Sequence, residues 1–348
     1  MVDPYKAVTV LWGFVFIYAV MATMDFGAGF WSMFYFNREK TKATNIANRY
    51  LSPTWEVTNT FVVALVVAVY SLFPRGAYTL GTILLIPGSL ILLLLSIRSA
   101  FLVFSHIADE YEKVLTYISG ICGILIPGLL ISVLPVTHGN YVDFSAQRQT
   151  LDLAGLFTSP NEYAFFGFAI TSTLFLSSLL LADYSKVSEE FEAYSVYRKD
   201  ALLIGPISLI MALLIVYTLR SEASWLYDKM MNDFALLVLS LVFFIIGYAG
   251  LFLPSKKGRI GMPRLAVVAV TLQYLIGSYV YGKAHLPYMV YPHVTIQSAF
   301  TDPSSFRAVF ITYIVGFAIL FPGFIYFWSL FMNDKRYLRR EKANPARK

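Results

Sequence analysis

Hydrophobic residues in this 348-residue chain occur in long uninterrupted blocks that are separated by short polar segments. A block of about 20 apolar residues forms a helix long enough to cross the ~30 Å hydrocarbon core of a membrane. The blocks lack the period-2 alternation and regular turns that are typical of a membrane β-barrel. The pattern therefore predicts nine transmembrane helices, at residues 8–36, 55–73, 78–104, 114–134, 163–183, 200–219, 234–254, 263–282 and 308–332.

The composition agrees with an all-α, polytopic membrane protein. Hydrophobic residues make up 57% of the chain, charged residues only 14%, and the mean hydropathy is +0.64. A soluble globular protein carries about 25% charged residues. The single cysteine, Cys122, excludes a disulfide framework and any CxxC metal or redox motif. The first apolar block is too long for the core of a cleaved signal peptide, so we expect the first helix to be retained.

The positions of the basic residues predict the orientation. The loops that follow odd-numbered helices, together with the C-terminal tail, hold 19 of the 27 Lys and Arg residues. Basic residues near the ends of transmembrane helices stay on the cytoplasmic side. We therefore expect the N-terminus outside and the C-terminus in the cytoplasm, which agrees with an odd number of helices. Because this asymmetry accounts for the net charge of +6, the charge gives no argument for nucleic-acid binding.

The longest outside loop, residues 135–162, divides the first eight helices into two groups of four. The predicted architecture is two four-helix bundles plus one additional helix. It comprises a first bundle (1–134), an extracytoplasmic loop (135–162), a second bundle (163–282), a further extracytoplasmic loop (283–307), and a ninth helix with a basic cytoplasmic tail (308–348).

Three charged side chains lie inside the predicted helices: Asp25 in the first, Glu56 in the second and Arg98 in the third. The alternating direction of the helices places all three in the inner half of the membrane. A charge at the membrane centre costs roughly 2.5–3.5 kcal/mol, so such residues face the bundle interior and find partners. One interpretation is a polar cluster that takes up protons from the inside, with Arg98 holding one carboxylate ionised. The other is a structural ion pair between helices.

Two glycines, Gly27 and Gly29, follow Asp25 closely. No predicted strand precedes them, which excludes a nucleotide-binding glycine loop. Small residues let transmembrane helices approach one another closely. We therefore expect tight helix packing around Asp25.

The histidines argue against a haem on this chain. The four are His106, His138, His285 and His293, and none falls in the middle of a predicted helix. Transmembrane haem sites use axial histidines, or histidine with methionine, inside the bundle. A set of His, Asp or Glu residues at metal-ligand spacing is also missing from the sequence. We therefore expect this chain to bind neither haem nor metal.

Four short segments together resemble a known family. They are "MDFGAGFW" in the first helix, "NREK" after it, "SPTWEVTN" at the start of the second helix and "IRSAF" in the third. They resemble subunit II of the cytochrome bd quinol oxidases. The layout of nine helices with an external N-terminus is similar over nearly the whole chain, although the second half matches in layout more than in motif.

This resemblance implies a haem-free, non-catalytic subunit of a bacterial or archaeal plasma-membrane oxidase. In that family, subunit I carries two b-type haems, one d-type haem and the quinol site. The complex oxidises quinol and reduces O2 to water with protons from the cytoplasm. Subunit II stabilises the complex, and in some members it is thought to contribute a proton path. The implied partners are subunit I and membrane lipid, while a small single-helix subunit remains an open possibility.

The resemblance also identifies candidate residues, and it shows where this chain departs from the family pattern. Asp25, Trp55, Glu56 and Arg98 match the polar positions of the family. Many members have Trp-Asp-Gly-Asn where this chain has "WEVTN", and many have a second acid after the third-helix arginine where this chain has the apolar residues 102–104. A proton relay would therefore use Asp25 and Glu56 with water and the hydroxyl of one further residue. The candidates for that hydroxyl are Thr58 and Ser99.

A second hypothesis is a stand-alone secondary transporter in which Asp25 and Glu56 couple to an ion. Such transporters often contain broken helices paired between inverted repeats. The two halves of this chain show no convincing repeat at the level of residues.

Overall fold

The computed structural model describes residues 2–36, 42–105, 111–145, 149–254 and 260–333, with side chains except at 2, 49–56, 105, 324, 327, 328 and 330–333. The described part of the chain folds into 14 helices and two short antiparallel hairpins. The helices are α1 (Val2–Phe34), α2 (Ala43–Leu72), α3 (Pro74–Ile83), α4 (Leu85–Ser105), α5 (Glu112–Ile131), α6 (Val133–Thr137), α7 (Leu153–Thr158), α8 (Pro160–Val187), α9 (Phe191–Glu222), α10 (Ser224–Met231), α11 (Phe234–Gly250), α12 (Pro263–His285), α13 (Ile296–Ala299) and α14 (Pro303–Asn333). The strands are β1 (Val142–Asp143), β2 (Thr150–Leu151), β3 (Tyr288–Val290) and β4 (Val294–Thr295).

The long helices have the lengths that membrane spans require, so the chain is a multi-pass membrane protein. Within the described residues, seven helices are long and apolar enough to cross a membrane by themselves. Two bent pairs, α2 with α3 and α10 with α11, raise the number to nine if each pair is one span. The all-α prediction is confirmed, while the exact number of spans and their orientation remain predictions.

The third predicted helix is not continuous. The sequence pattern predicts one helix over 78–104, but the structure ends α3 at Ile83 and begins α4 at Leu85. The apolar end of α2 and the short α3 also meet at an angle of 117°. Hydropathy measures only how apolar a segment is, so it cannot reveal a bend between two apolar helices. Pro87 fits the break because proline is tolerated in the first turn of a new helix.

Helix α1 is central to the packing, because it contacts α2, α5 and α8. The approach of α1 to α8 is close at Gly27, where a Cβ atom would collide with the side chain of Ser177 and lie 3.0 Å from the Thr173 carbonyl oxygen. The Trp31 indole donates a hydrogen bond of 3.0 Å to Ser177 Oγ at the same contact. This agrees with the tight packing expected around Asp25.

Helix α8 in turn packs most extensively against α9, and it also contacts α5 and α12, while α11 pairs with α12. The largest buried cluster joins α1 to α8 and α9 and includes Phe26, Tyr184 and Tyr197. Helices α1, α5 and α8 therefore contact one another across the boundary between the two predicted bundles. The division into two four-helix bundles remains a prediction.

Candidate functional site: a buried charge cluster

Asp25 and Arg98 form a buried ion pair between α1 and α4. Arg98 Nη1 donates to Asp25 Oδ2 over 2.8 Å, and Nη2 donates to Oδ1 over 2.9 Å. Nη2 also donates to the Asp25 backbone carbonyl over 3.1 Å. The two residues are only 1% and 2% exposed. This parallel two-bond contact is the strongest geometry that an arginine and a carboxylate can adopt.

Two glycines and an aromatic ring shape the space for the guanidinium. A Cβ atom at Gly29 of α1 would lie 3.4 Å from Arg98 Nη2, and one at Gly123 of α5 would lie 3.6 Å from Nε. The guanidinium carbon lies 4.8 Å from the centre of the Phe26 ring, a cation–π contact. Arg98 therefore reaches from α4 to a position between α1 and α5, where its guanidinium packs beside both glycines.

One donor of the cluster has no partner among the described residues. Arg98 Nε is buried and makes no hydrogen bond there. A buried N–H group that stays unpaired is costly. The site therefore offers a donor to one more acceptor, such as a water molecule.

The candidates on α2 are only partly described. The backbone of Trp55 and Glu56 lies in α2, but their side chains fall outside the described residues. Thr58 is buried at 2% exposure, and its hydroxyl lies 3.5 Å from the Met21 carbonyl oxygen of α1. The structure therefore brings the start of the apolar part of α2 against α1, one helical turn before Asp25.

Ser99 does not join the pair in the structure. Its side chain is half-buried on α4, next to Arg98 in sequence. Among the described residues, the hydrogen bonds of the Arg98 guanidinium all go to Asp25. The sequence placed Ser99 beside Arg98, but successive residues of a helix point in different directions.

Two further residues, Asp183 and Cys122, have simple environments. Asp183 near the end of α8 makes a 3.1 Å ion pair with Arg264 of α12, whose side chain is largely exposed. Cys122 is a buried free thiol in α5. Among the described residues, no group of three or more His, Cys, Asp or Glu side chains is placed to hold a metal ion.

The structure also contains a second buried polar cluster, which the sequence did not reveal. The second predicted bundle is connected to the 135–162 loop at one of its ends, and the cluster lies at that end. His138 Nε2 contacts the Tyr281 hydroxyl at 2.8 Å, and His138 Nδ1 contacts the Asn161 amide at 3.2 Å. Asn161 Oδ1 accepts a hydrogen bond of 2.9 Å from Thr218. His285 lies beside this group, with Nε2 at 3.2 Å from Thr137 Oγ1 and Nδ1 at 2.9 Å from the Tyr288 carbonyl oxygen.

Burial lowers the pKa of His138 to about 3, and the neighbouring His285 adds to this effect. His138 follows α6, beyond the end of the apolar segment Glu112–Thr137. The imidazole is therefore neutral at physiological pH and acts as a hydrogen-bonding group without charge. The residues of this cluster come from widely separated segments, so only the tertiary structure brings them together.

The comparison with known proteins decides the family. A family model described as cytochrome bd terminal oxidase subunit II matches residues 4–331. The chain belongs to the cytochrome bd terminal oxidase subunit II family. It is 61% identical over 342 residues to a putative cytochrome bd menaquinol oxidase subunit II of Bacillus subtilis (strain 168), covering 98% of this chain and 99% of that protein.

A solved structure is similar over the same extent. A chain in the structure of bd oxidase from Geobacillus thermodenitrificans superposes with a TM-score of 0.81 at 34% identity. The match covers 96% of this chain and 100% of that chain. This subunit II chain is thus part of an oxidoreductase complex of respiratory electron transport, which contains haem and a partner subunit I. The resemblance drawn from the four sequence motifs is confirmed, and the stand-alone transporter is set aside.

Proposed function

We propose that this chain is the haem-free subunit of a quinol:O2 oxidoreductase in a bacterial plasma membrane. In this proposal it stabilises the haem-bearing subunit I, which holds two b-type haems and one d-type haem, and it brings cytoplasmic protons towards that subunit. Its N-terminus faces outside and its C-terminus faces the cytoplasm. The relative in Bacillus subtilis is named a menaquinol oxidase subunit, and we propose menaquinol as the electron donor here too.

The surroundings of the histidines support the haem-free assignment. An axial haem ligand must offer a ring nitrogen to iron. Both ring nitrogens of His138 and both of His285 already contact protein groups. The exposed His293 packs on Phe144, and His106 lies outside the described residues. The described histidines therefore do not fit axial coordination of a haem inside this chain.

The observation that carries the proton-path proposal is the buried Asp25–Arg98 pair. The pair places a full charge of each sign in the apolar interior, on two helices that also meet α5. Intramembrane charges of this kind are typical of proton and ion pathways. Asp25 is occupied by two guanidinium hydrogen bonds, while Arg98 Nε can donate to a water molecule. We propose that Glu56 exchanges the proton, that the Thr58 hydroxyl takes part in the relay, and that the Asp25–Arg98 pair orders the water next to it.

The haem assignment is tested by isolating the chain with and without subunit I and recording reduced-minus-oxidised spectra. We expect haem bands only when subunit I is present. Haem bands from this chain alone would overturn the assignment.

The proton path is tested with Asp25→Asn and Glu56→Gln in the assembled oxidase. Each variant removes an ionisable carboxyl but keeps an oxygen acceptor of similar shape. We expect slower oxygen consumption with unchanged haem content. If both variants assemble and turn over as the wild type does, the carboxyl groups have only a structural role.

A further inference from the structure

A second buried carboxyl, that of Glu162, lies at the start of α8, far in sequence from Asp25 and Arg98. Glu162 is 6% exposed. It follows the helix cap Ser159, whose Oγ accepts a hydrogen bond of 3.0 Å from the Glu162 N–H. In a Ser-x-x-Glu capping box, the glutamate side chain accepts from the backbone N–H of the cap. Here the Ser159 N–H donates to the Leu156 carbonyl instead, and the Glu162 side chain turns towards α5.

The Glu162 carboxyl has one hydrogen-bond partner among the described residues. Its Oε1 makes a short contact with the hydroxyl of Ser132, at the end of α5. Its Oε2 is buried and has no partner there. An ionised carboxylate is only an acceptor, with room for about four hydrogen bonds. In the ionised form, Glu162 would be a buried charge with a single donor beside it.

Ser132 has a second possible acceptor, so its hydroxyl proton is not always available to Glu162. Ser132 Oγ also lies 3.1 Å from the carbonyl oxygen of Gly128, one turn earlier in α5. A hydroxyl group has one proton to donate. If that proton goes to Gly128, the contact with Glu162 needs a proton from the carboxyl group. A protonated Glu162 donates to Ser132 Oγ, Ser132 donates to Gly128, and every proton has an acceptor.

Two other carboxylates of the same chain show what Glu162 lacks. Asp25 receives two hydrogen bonds from a guanidinium. Glu222, at the end of α9, accepts from the Tyr141 hydroxyl and the Ser159 hydroxyl, each at 2.6 Å, and from the Asn161 N–H at 3.1 Å. Both of those carboxylates have partners on both oxygens. Glu162 has neither a cation nor a set of donors.

Among the described residues, two features favour a negative charge on Glu162: the Ser132 hydroxyl, when it donates to Oε1, and the N-terminus of α8. A helix terminus carries about half an elementary charge, which is less than the full cation at Asp25, and it acts at a site removed from water. The elements packed around this end of α8 bring no cation into contact with the carboxyl in the described structure. Close to this end they carry the titratable side chains His138, Tyr141, Asp152, Glu222, Tyr281 and His285. The two cations there, Arg220 of α9 and Lys283 of α12, are both exposed, and Lys283 pairs with Asp233.

The geometry points to Glu162 as a neutral carboxylic acid at pH 7: a buried proton-binding site that ties the start of α8 to the end of α5. The site is separate from the Asp25–Arg98 pair and does not depend on the proposed proton path. It makes the contact between the two helices sensitive to protonation, because loss of the proton would leave a charge without a partner at their junction.

Infrared spectroscopy of the assembled oxidase tests this assignment. A protonated carboxyl group has a C=O stretching band that a carboxylate lacks. We expect the spectrum of the wild type at pH 7 to contain one such band that is lost in Glu162→Gln, whose amide can still donate to Ser132. The matched control, Glu222→Gln, should lose only carboxylate bands. A wild-type minus Glu162→Gln difference that contains only carboxylate bands would overturn the proposal.

A second variant keeps the test informative if Glu162→Gln does not assemble. Ser132→Ala retains Glu162 but removes the oxygen that accepts its proton. The carboxylic-acid band should then shift to higher frequency, as expected for a carboxyl group that loses its hydrogen bond. A band that stays in place, or that is absent from both proteins, would contradict the assignment to Glu162.

Discussion

At the scale of single residues, two ion pairs with comparable contact distances have very different surroundings. The Asp25–Arg98 pair has contacts of 2.8–2.9 Å and is almost completely buried. The Asp183–Arg264 pair has a contact of 3.1 Å, but the arginine side chain is 66% exposed. Solvent weakens an exposed pair, whereas removal of one member of a buried pair leaves an uncompensated charge. Burial, more than distance, therefore decides how much stability is lost when one member of each pair is removed.

We expect Asp25→Leu to destabilise the folded subunit by about 3–5 kcal/mol, because Arg98 would remain buried without its partner. Arg264→Ala is the matched control and should cost at most about 1 kcal/mol. Thermal unfolding of the purified complex, followed together with the yield of assembled oxidase, measures both. Equal effects of the two variants would contradict the role given to burial.

The buried His138 predicts a loss of stability in acid. Its pKa in the folded protein is lowered to about 3 by burial, while an unfolded histidine titrates near 6.5. The unfolded chain therefore binds the proton first, and stability falls as the pH drops from about 6.5 towards 3. The slope from this one group approaches about 1.4 kcal/mol per pH unit.

His138→Gln should remove that part of the acid sensitivity, whereas His293→Gln, at an exposed position, is the control for loss of an imidazole. Unfolding midpoints of the purified complex at pH 7 and pH 5 give the comparison. A His138→Gln variant that keeps the full wild-type pH dependence would show that His138 is not the group responsible.

At the scale of the helices, the contact of α1 with α8 depends on the missing side chain of Gly27. Overpacking a well-packed interface costs about 1–3 kcal/mol. Gly27→Ala should therefore weaken the subunit by that amount, since its Cβ would meet Ser177 and the Thr173 carbonyl. Gly13→Ala, on the same helix with no atom within 4 Å of the new Cβ, should be neutral or slightly stabilising. Thermal unfolding of both variants checks this, and a Gly27→Ala protein as stable as Gly13→Ala would show that the interface can relax.

The long helices were predictable because their apolar blocks match the thickness of a membrane. The meeting of Asp25 with Arg98 was also expected in outline, since buried charges on neighbouring helices seek partners. Three features were not predictable. The break at Leu84 leaves no mark in hydropathy, the packing of Gly123 of α5 beside Arg98 is a tertiary contact, and Ser99 makes no hydrogen bond to the pair among the described residues.

The cluster around His138 and Glu162 shows a different limit of sequence reasoning. Its residues belong to a loop and to the ends of five helices, so no local pattern joins them. The "SPNE" segment at 159–162 reads as an ordinary helix cap. Only the structure shows that the Glu162 side chain leaves the cap and contacts α5.

At the scale of the whole molecule, the buried charge pair is interpreted together with the family to which the chain belongs. The chain is a subunit of a bd-type oxidase, and its Asp25–Arg98 pair lies where α1 and α4 adjoin α5. The sequence left open whether this pair serves a proton path or only holds helices together. A variant that lacks both charges but keeps the packing distinguishes the two roles. Such a variant is feasible because apolar residues often replace a buried ion pair at little or no cost in stability.

The most direct test is the rate of oxygen consumption per haem in the assembled oxidase with Asp25→Leu and Arg98→Met combined. The proton-path account predicts a complex with wild-type haem content that consumes oxygen several-fold more slowly than the wild type. A double variant that assembles and turns over at the wild-type rate would contradict the account and leave Asp25 and Arg98 with a structural role alone.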